Sequence, residues 1–280
     1  MAIQDLRHWM KRVEELGELT RVDGADPHLE LGGLVDLYQW DMENPALLFD
    51  HIKGHQPGYR VLANVFTSLR RISLSLNMPT EYGRREFVQV WRQRLKQLKP
   101  IAAELVRDGP VLENRQTDDQ VDITQFPAPL WHTEDGGRFL GTGDIVITRD
   151  PDTGWINCGT YRVQVHDSRT VGIMISPGKH GRLIRDKYWS RGQACPVAVS
   201  IGHDPLLLLM GGLEIDYGTN EYDVAGGIRG EPVQLVKAPY SGLPVPAAAE
   251  IVLEGDIPPE ERHEEGPFGE WTGYYAGGQR

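Results

Sequence analysis

Cysteine is nearly absent: Cys158 and Cys195 are too few for a disulfide framework and too far apart for a Cys-x-x-Cys centre. Positive charge is also short. With 29 basic against 40 acidic residues the net charge is −11, a field that repels a phosphate backbone and argues against a nucleic-acid partner. The longest unbroken apolar run, residues 206–210, falls far below the ~20 residues of a membrane span. The first residues alternate charged and apolar side chains and lack the apolar core of a signal peptide. Together with the sparse cysteines this predicts a cytoplasmic protein. Phosphate-loop, HExxH and GxSxG motifs are all missing. Gly141-Thr142-Gly143 leads into a strand pattern instead of a helix, so it fails as a dinucleotide fingerprint.

Glycine and proline, by contrast, are in surplus. The 32 glycines and 19 prolines follow no period, which excludes collagen-like and low-complexity chains and predicts tight turns and short strands. Leu6, Trp9, Met10, Val13 and Leu16 share one face of a helix that Gly17 can end. A second helix is expected over 29–42, a buried strand over 46–52, and a helix striped by Phe87, Trp91, Leu95 and Leu98 before Pro100. That stripe reads as core packing, and the basic residues between Arg84 and Lys99 as the solvated face of the same helix. Residues 119–143 are too rich in Pro and Gly for a helix and too aromatic for a disordered linker, so they read as an ordered crossing between domains.

A hairpin signal follows: GDIVITRD, a turn at 151–154, and WINCGTYRVQV as one returning strand. Further strands are expected in TVGIMIS, CPVAVSIG, EPVQLVKAP and AAEIVLEGDI. Helices are expected over 179–190 and from Pro205, with Asp204 as N-cap. Short strands and helices without regular βα alternation give an α+β class around a partly closed sheet.

Several polar residues fall on elements that otherwise look buried. Asn157 and Arg162 share the returning strand but stand five residues apart, on opposite faces unless a bulge or twist intervenes. Taken alone, Arg162 reads as a salt-bridge arginine and His180 as a loop-to-helix junction histidine. Glu221 likewise reads as a carboxylate favoured by a helix N-terminus. The densest signal is Glu265-Gly266-Pro267-Phe268-Gly269-Glu270, followed by Trp271. Two carboxylates bracketing a Gly-Pro turn beside aromatics suit general acid–base work, or equally an acidic surface turn. A glycosidase pair at Glu265 and Glu270 gives no role to Asn157, Arg162 or His180.

Taken in order, FPAPLWHTEDGG, the Asn157–Arg162 strand, PGKH, Asn220-Glu221-Tyr222-Asp223 and EGPFGEWTGYY resemble the UbiD-type decarboxylases, which use prenylated FMN. The resemblance covers essentially the whole chain and about the first three fifths of a family member, which implies that the family's C-terminal domain is absent. It implies an N-terminal α/β domain over 1–115 and a flavin-binding, flavin reductase-like split β-barrel domain over 116–280. Asn157, His180 and Glu221 are then expected to hold Mn²⁺ or Mg²⁺ at the flavin phosphate, with K⁺ nearby. Arg162, Glu265 and Glu270 form the expected catalytic group. Thr160, Tyr161 and Lys179 join Asn157, Arg162, His180 and Glu221 in lining the cofactor.

The reaction implied by the resemblance is reversible, non-oxidative decarboxylation of an aromatic, heteroaromatic or α,β-unsaturated acid through a covalent prenylated-flavin adduct. Glu270 returns the proton, Arg162 positions the leaving carboxylate and Glu265 orients Arg162. The implied partners are a flavin prenyltransferase that supplies the cofactor and further copies of the chain, as a homodimer or larger assembly. The competing expectations are a flavin-binding module without turnover and an FMN reductase-like protein, whose flavin NAD(P)H would bleach.

Overall fold

The structure, a computed structural model, describes residues 3–40, 44–270 and 272–276. Helix α1 (Leu6–Glu15) starts where Asp5 accepts the His8 N–H, and the chain turns out of it at Gly17, whose φ of 74° suits glycine. Its apolar face buries Trp9 and Val13. Strand β1 (Leu19–Asp23) pairs in parallel with β2 (Ala46–Asp50), with α2 (Glu30–Gln39) as the crossover, and β3 (Val61–Ala63) adds an antiparallel edge. The helix expected over 29–42 thus begins after Leu29, which sits at φ 73°, while residues 41–43 lie outside the described residues.

Helix α3 (Leu69–Ser75) was not expected, because its centre carries a charge. That charge is Arg71, fully buried, which donates to Glu18 Oε2 at 2.8 Å, Thr67 Oγ1 at 2.6 Å and the carbonyls of Asn64 and Val65. Helix α4 (Arg84–Gln97) corrects one expectation. Phe87, Trp91 and Leu98 are only partly buried against the main core, and Leu95 is 45% exposed, so the stripe lies on the core's rim. Its Arg94 caps the carbonyls of Leu76, Asn77 and Ile228, so the basic face is partly structural.

The rest of the chain begins with β4 (Glu104–Leu105) and, after the turns of 110–125, β5 (Arg138–Gly141). Then come β6 (Ile145–Arg149), β7 (Ile156–Gly159), β8 (Arg162–Val165), β9 (Val171–Met174) and α5 (His180–Trp189). Next are β10 (Cys195–Ile201), α6 (Pro205–Gly212), α7 (Glu221–Arg229), β11 (Gln234–Lys237), β12 (Pro244–Pro246) and β13 (Ile251–Ile257). The last hairpin joins β14 (Phe268–Gly269) to β15 (Tyr275–Ala276). An antiparallel sheet runs β13-β10-β6-β7, a second runs β5-β8-β9 and a third runs β12-β11-β4.

Strand alternation distributes two cores. Ile145 and Ile147 of β6 face α6 and α7, whereas Val146 faces Val163 of β8 with Val197 and Val199 of β10. The first two sheets therefore stack through this second core, and no sheet closes on itself among the described residues. Asp204 caps α6 by accepting the Leu206 N–H and also pairs with Arg229 at the end of α7, tying the two helices together. No helix among the described residues is long and apolar enough to cross a membrane.

The expected single strand WINCGTYRVQV is in fact two strands in two sheets. The break falls at Thr160-Tyr161. Thr160 donates its N–H to Gly211 O of α6 at 3.1 Å instead of to a strand neighbour. The Tyr161 ring packs against Gly159 and Gly181, where an added Cβ would meet it at 2.4 and 2.9 Å. Glycine at both positions is what admits the ring.

Candidate active site

The sheet change sets the site. β7 carries Asn157 in the four-stranded sheet, β8 carries Arg162 in the next, and both residues line one cleft of about 2540 Å³ with His180, Glu221 and Glu270. The volume exceeds the usual 300–1,000 Å³ of a small-ligand pocket, so the cleft can take a large ligand while staying open.

Arg162 is gripped from two sides. Its Nε and Nη2 donate to the two carboxylate oxygens of Glu265, both at 3.0 Å, a bidentate pair. Its Nη1 donates to Glu270 Oε1 at 2.5 Å, and the guanidinium lies over the Phe268 ring, 4.9 Å from the centroid. The two glutamates are not equivalent. The Glu265 side chain is 9% exposed and stands behind the arginine, off the cleft wall, whereas that of Glu270 is 38% exposed and faces the cleft. One carboxylate anchors the arginine; the other is open to a ligand. The five-residue spacing of the EGPFGE turn thus delivers two carboxylates to one guanidinium. Trp271, which follows them, lies outside the described residues.

Asn157, His180 and Glu221 converge on the same cleft from three elements. Glu221 opens α7 behind its N-cap Asn220 and is 4% exposed, with burial pushing its carboxyl up to about 7. Its Oε2 accepts the Cys158 N–H at 3.0 Å. Asn157 is 2% exposed and its Nδ2 has no partner. His180 opens α5, its ring edge-on to Trp155 at 5.4 Å and Tyr217 at 5.3 Å. A buried carboxylate held by backbone N–H groups, an amide oxygen and an imidazole form a donor set that suits a cation with oxygen and imidazole ligands. Among the described residues no three His, Cys, Asp or Glu side chains cluster for a metal, so any such site rests on the asparagine as third member.

The remaining sequence candidates divide. Lys179 is exposed at the N-cap of α5 and lines the cleft, and Thr160 lines it with an unpartnered buried Oγ1. Tyr161 reaches the cleft wall but is mainly core: it is 8% exposed and its hydroxyl accepts the Gly181 N–H at 3.2 Å. Sequence reasoning missed the Trp155–Tyr217 frame of His180 and the part played by residues 132–137. Tyr217 also donates to Asp150 Oδ2 at 2.8 Å, an anion that Lys187 reaches at 2.6 Å. Those hydrogen bonds hold the Asp150 carboxyl well below the usual carboxylate range despite its burial.

Comparison with known proteins decides the family. The profile of the 3-octaprenyl-4-hydroxybenzoate carboxy-lyase (UbiD) Rift-related domain matches residues 104–280, and that of the N-terminal domain of the same carboxy-lyase matches 10–91. The chain belongs to the UbiD family. A pyrrole-2-carboxylic acid decarboxylase of Pseudomonas aeruginosa is 34% identical over 96% of this chain and 56% of its own length. A phenolic acid decarboxylase of Streptomyces sp. (strain D7) is 35% identical over 100% of the chain and 60% of its own length. Among solved structures, the vanillic acid decarboxylase of Sedimentibacter hydroxybenzoicus in closed form superposes with a TM-score of 0.92 at 30% identity, over 100% of this chain and 60% of that one. The UbiD-class enzyme HmfF of Pelotomaculum thermopropionicum, in complex with FMN, superposes with a TM-score of 0.87 at 30% identity, over 98% and 60%. This UbiD chain therefore spans 56 to 60% of the curated relatives named above.

Proposed function

We propose that this chain carries the flavin site and catalytic group of a prenylated-FMN-dependent decarboxylase acting on an aromatic, heteroaromatic or α,β-unsaturated carboxylic acid. The observation that carries this reading is the unequal pair on Arg162: Glu265 buried behind it and Glu270 open to the cleft. Decarboxylation needs a group that holds a carboxylate and a group that returns a proton to the carbon CO₂ leaves. Arg162 is the cation that orients the substrate carboxylate, Glu265 holds the guanidinium in place, and Glu270 delivers the proton. Prenylated FMN, when bound, supplies the electron sink for the pair left behind as CO₂ departs.

Asn157, His180 and Glu221 hold Mn²⁺ or Mg²⁺ in this reading, and the cation offsets the flavin phosphate. Lys179 and the N-terminus of α5 at the cleft favour the same anion. The two sheets stacked through Val146, Val163 and Val199 support a flavin reductase-like split barrel over residues 116–280, beside an N-terminal domain over 1–115. A flavin prenyltransferase supplies the cofactor, and the chain assembles as a homo-oligomer.

The test is co-expression with a flavin prenyltransferase, then native mass spectrometry in Mn²⁺ and K⁺ and assay of CO₂ release from pyrrole-2-carboxylate and 3,4-dihydroxybenzoate. The expected result is one prenylated FMN and one divalent ion per chain, with CO₂ released from at least one acid. Cofactor bound without turnover favours a flavin-binding module, and flavin bleaching by NAD(P)H favours a reductase. Bleaching overturns the decarboxylase reading, and cofactor bound without turnover overturns it for these two acids.

A further inference from the structure

Glu270 sits on a segment with little stiffness of its own. Gly266 and Gly269 precede it, and at both an added Cβ would crowd its neighbours. Gly266 has φ +72°, and an added Cβ there would come within 2.6 Å of Gly136 Cα; at Gly269 it would come within 2.4 Å of His132 Nδ1. Glycine leaves the backbone free to take several conformations, so another part of the chain must set the direction of Glu270.

That part is the turn of residues 132–137. The Asp135 side chain is completely inaccessible, and its two oxygens accept two backbone N–H groups: Gly269 N at 2.8 Å through Oδ1 and His132 N at 2.9 Å through Oδ2. The first of these bonds holds the residue just before Glu270. Gly136 N donates to Pro267 O at 2.7 Å, closing the same contact two residues earlier. On the far side, Glu270 N donates to Tyr274 O at 2.8 Å and Glu270 O accepts from Gly273 N at 2.9 Å. Because the peptide unit is planar, fixing Gly269 N and Glu270 N leaves the Glu270 Cα little freedom. Only its side-chain torsions remain, and the Arg162 Nη1 contact settles those.

We propose that Asp135 is the positioning residue for Glu270: its carboxylate latches the Gly269 amide and so aims the proton-delivering side chain. The proposal rests on the decarboxylase reading for its catalytic consequence, while the latch itself stands apart from it. Asp135 acts on Glu270 and not on Glu265, which is held by its own bidentate pair with Arg162. The latch therefore affects proton delivery and leaves carboxylate grip unchanged.

The experiment compares Asp135→Asn and Asp135→Ala with the parent chain, all loaded by co-expression with a flavin prenyltransferase. Amide hydrogen exchange is followed over peptides covering 265–270 and 195–201, and kcat and KM are measured on pyrrole-2-carboxylate and 3,4-dihydroxybenzoate. The expected result is faster exchange confined to 265–270, with kcat falling about 10- to 100-fold in the alanine variant at nearly constant KM. Asparagine, which keeps one acceptor oxygen, should lie between. Unchanged exchange at 265–270 in both variants overturns the latch. Faster exchange with parental kcat, or a matching loss of protection at 195–201 in both variants, overturns the positioning role. A parent chain inactive on both acids refutes the decarboxylase reading for those acids, and the exchange arm then still decides the latch.

Discussion

Asp144→Asn is expected to make the protein more stable at pH 8 and to remove most of the stability it loses between pH 6 and pH 8. Asp144 stands at the junction of β5 and β6, fully buried, with neither carboxylate oxygen hydrogen-bonded to another side chain or backbone group. Its Oδ1 lies where a Cβ on Gly141 would come within 2.0 Å, so glycine makes the room it occupies. Burial penalises the charged form more than its own backbone N–H offsets it, and pushes the carboxyl from 3.8 up to about 8. A raised pKa means that the folded chain keeps a proton the unfolded chain has lost. The stabilisation is complete below the unfolded value and disappears as pH rises through the folded one. Integrated from pH 6 to pH 8, this costs about 2 kcal/mol. Glu221, pushed up to about 7 by burial, adds a loss of about 1 kcal/mol over the same window. His203 runs the other way: burial lowers it to about 4, and the unfolded chain sheds its proton in this range, a gain just under about 1 kcal/mol. The parent should therefore lose about 2 to 3 kcal/mol net, and the Asn variant about 2 kcal/mol less. Urea unfolding of the cofactor-free chain at the two pH values measures both. A variant whose loss matches the parent's within about 0.5 kcal/mol would refute the assignment of a neutral Asp144.

Three further outcomes follow from the site. Glu270→Gln should abolish CO₂ release while native mass spectrometry still finds flavin bound; unchanged turnover would remove Glu270 as proton donor. Glu221→Gln should strip the divalent ion from the loaded protein, read as metal per chain by atomic emission, whereas parental stoichiometry would take Glu221 out of the ligand set. Arg162→Met should destabilise the fold by about 3 kcal/mol, because it leaves the buried Glu265 carboxylate uncompensated, and adding Glu265→Gln should recover much of that loss. A double variant no more stable than the single one would show that the cost lies elsewhere.

Much of the fold was legible because its elements carry local signals. Asp204-Pro205 marks a helix start, Gly17 a stop, and the turn at 151–154 joins β6 to β7 as expected. Helix α3 was not legible, because a fully buried arginine breaks the apolar pattern, and only the long-range partner Glu18 makes that burial tolerable. The rim position of α4 was hidden for the opposite reason: periodicity identifies an apolar face but not how deeply it sinks. At the site, the residue types and their order pointed to one constellation. The latch at Asp135 stayed hidden because its two hydrogen bonds are to backbone N–H groups, one of them from Gly269, 134 residues on, which no local pattern marks.

The five-residue step from Asn157 to Arg162 shows why the site needed three dimensions. In one continuous strand these two side chains point to opposite faces, and no cleft can receive both. The chain resolves the conflict by leaving its sheet at Thr160, giving that amide to helix α6, and turning Tyr161 inward between two glycines before it enters the next sheet. The same move separates the two kinds of chemistry. Asn157 stays beside Cys158, whose N–H holds Glu221, while Arg162 passes to the strand that meets the EGPFGE turn. With Asn157 on β7 and Glu221 on α7 beside it, and Arg162 on the strand of the other sheet, Arg162 pairs with the glutamates of the EGPFGE turn and not with Glu221. In the proposed function, that separation leaves Glu221 for a metal ion while Arg162 meets the two glutamates that arrive from a different loop.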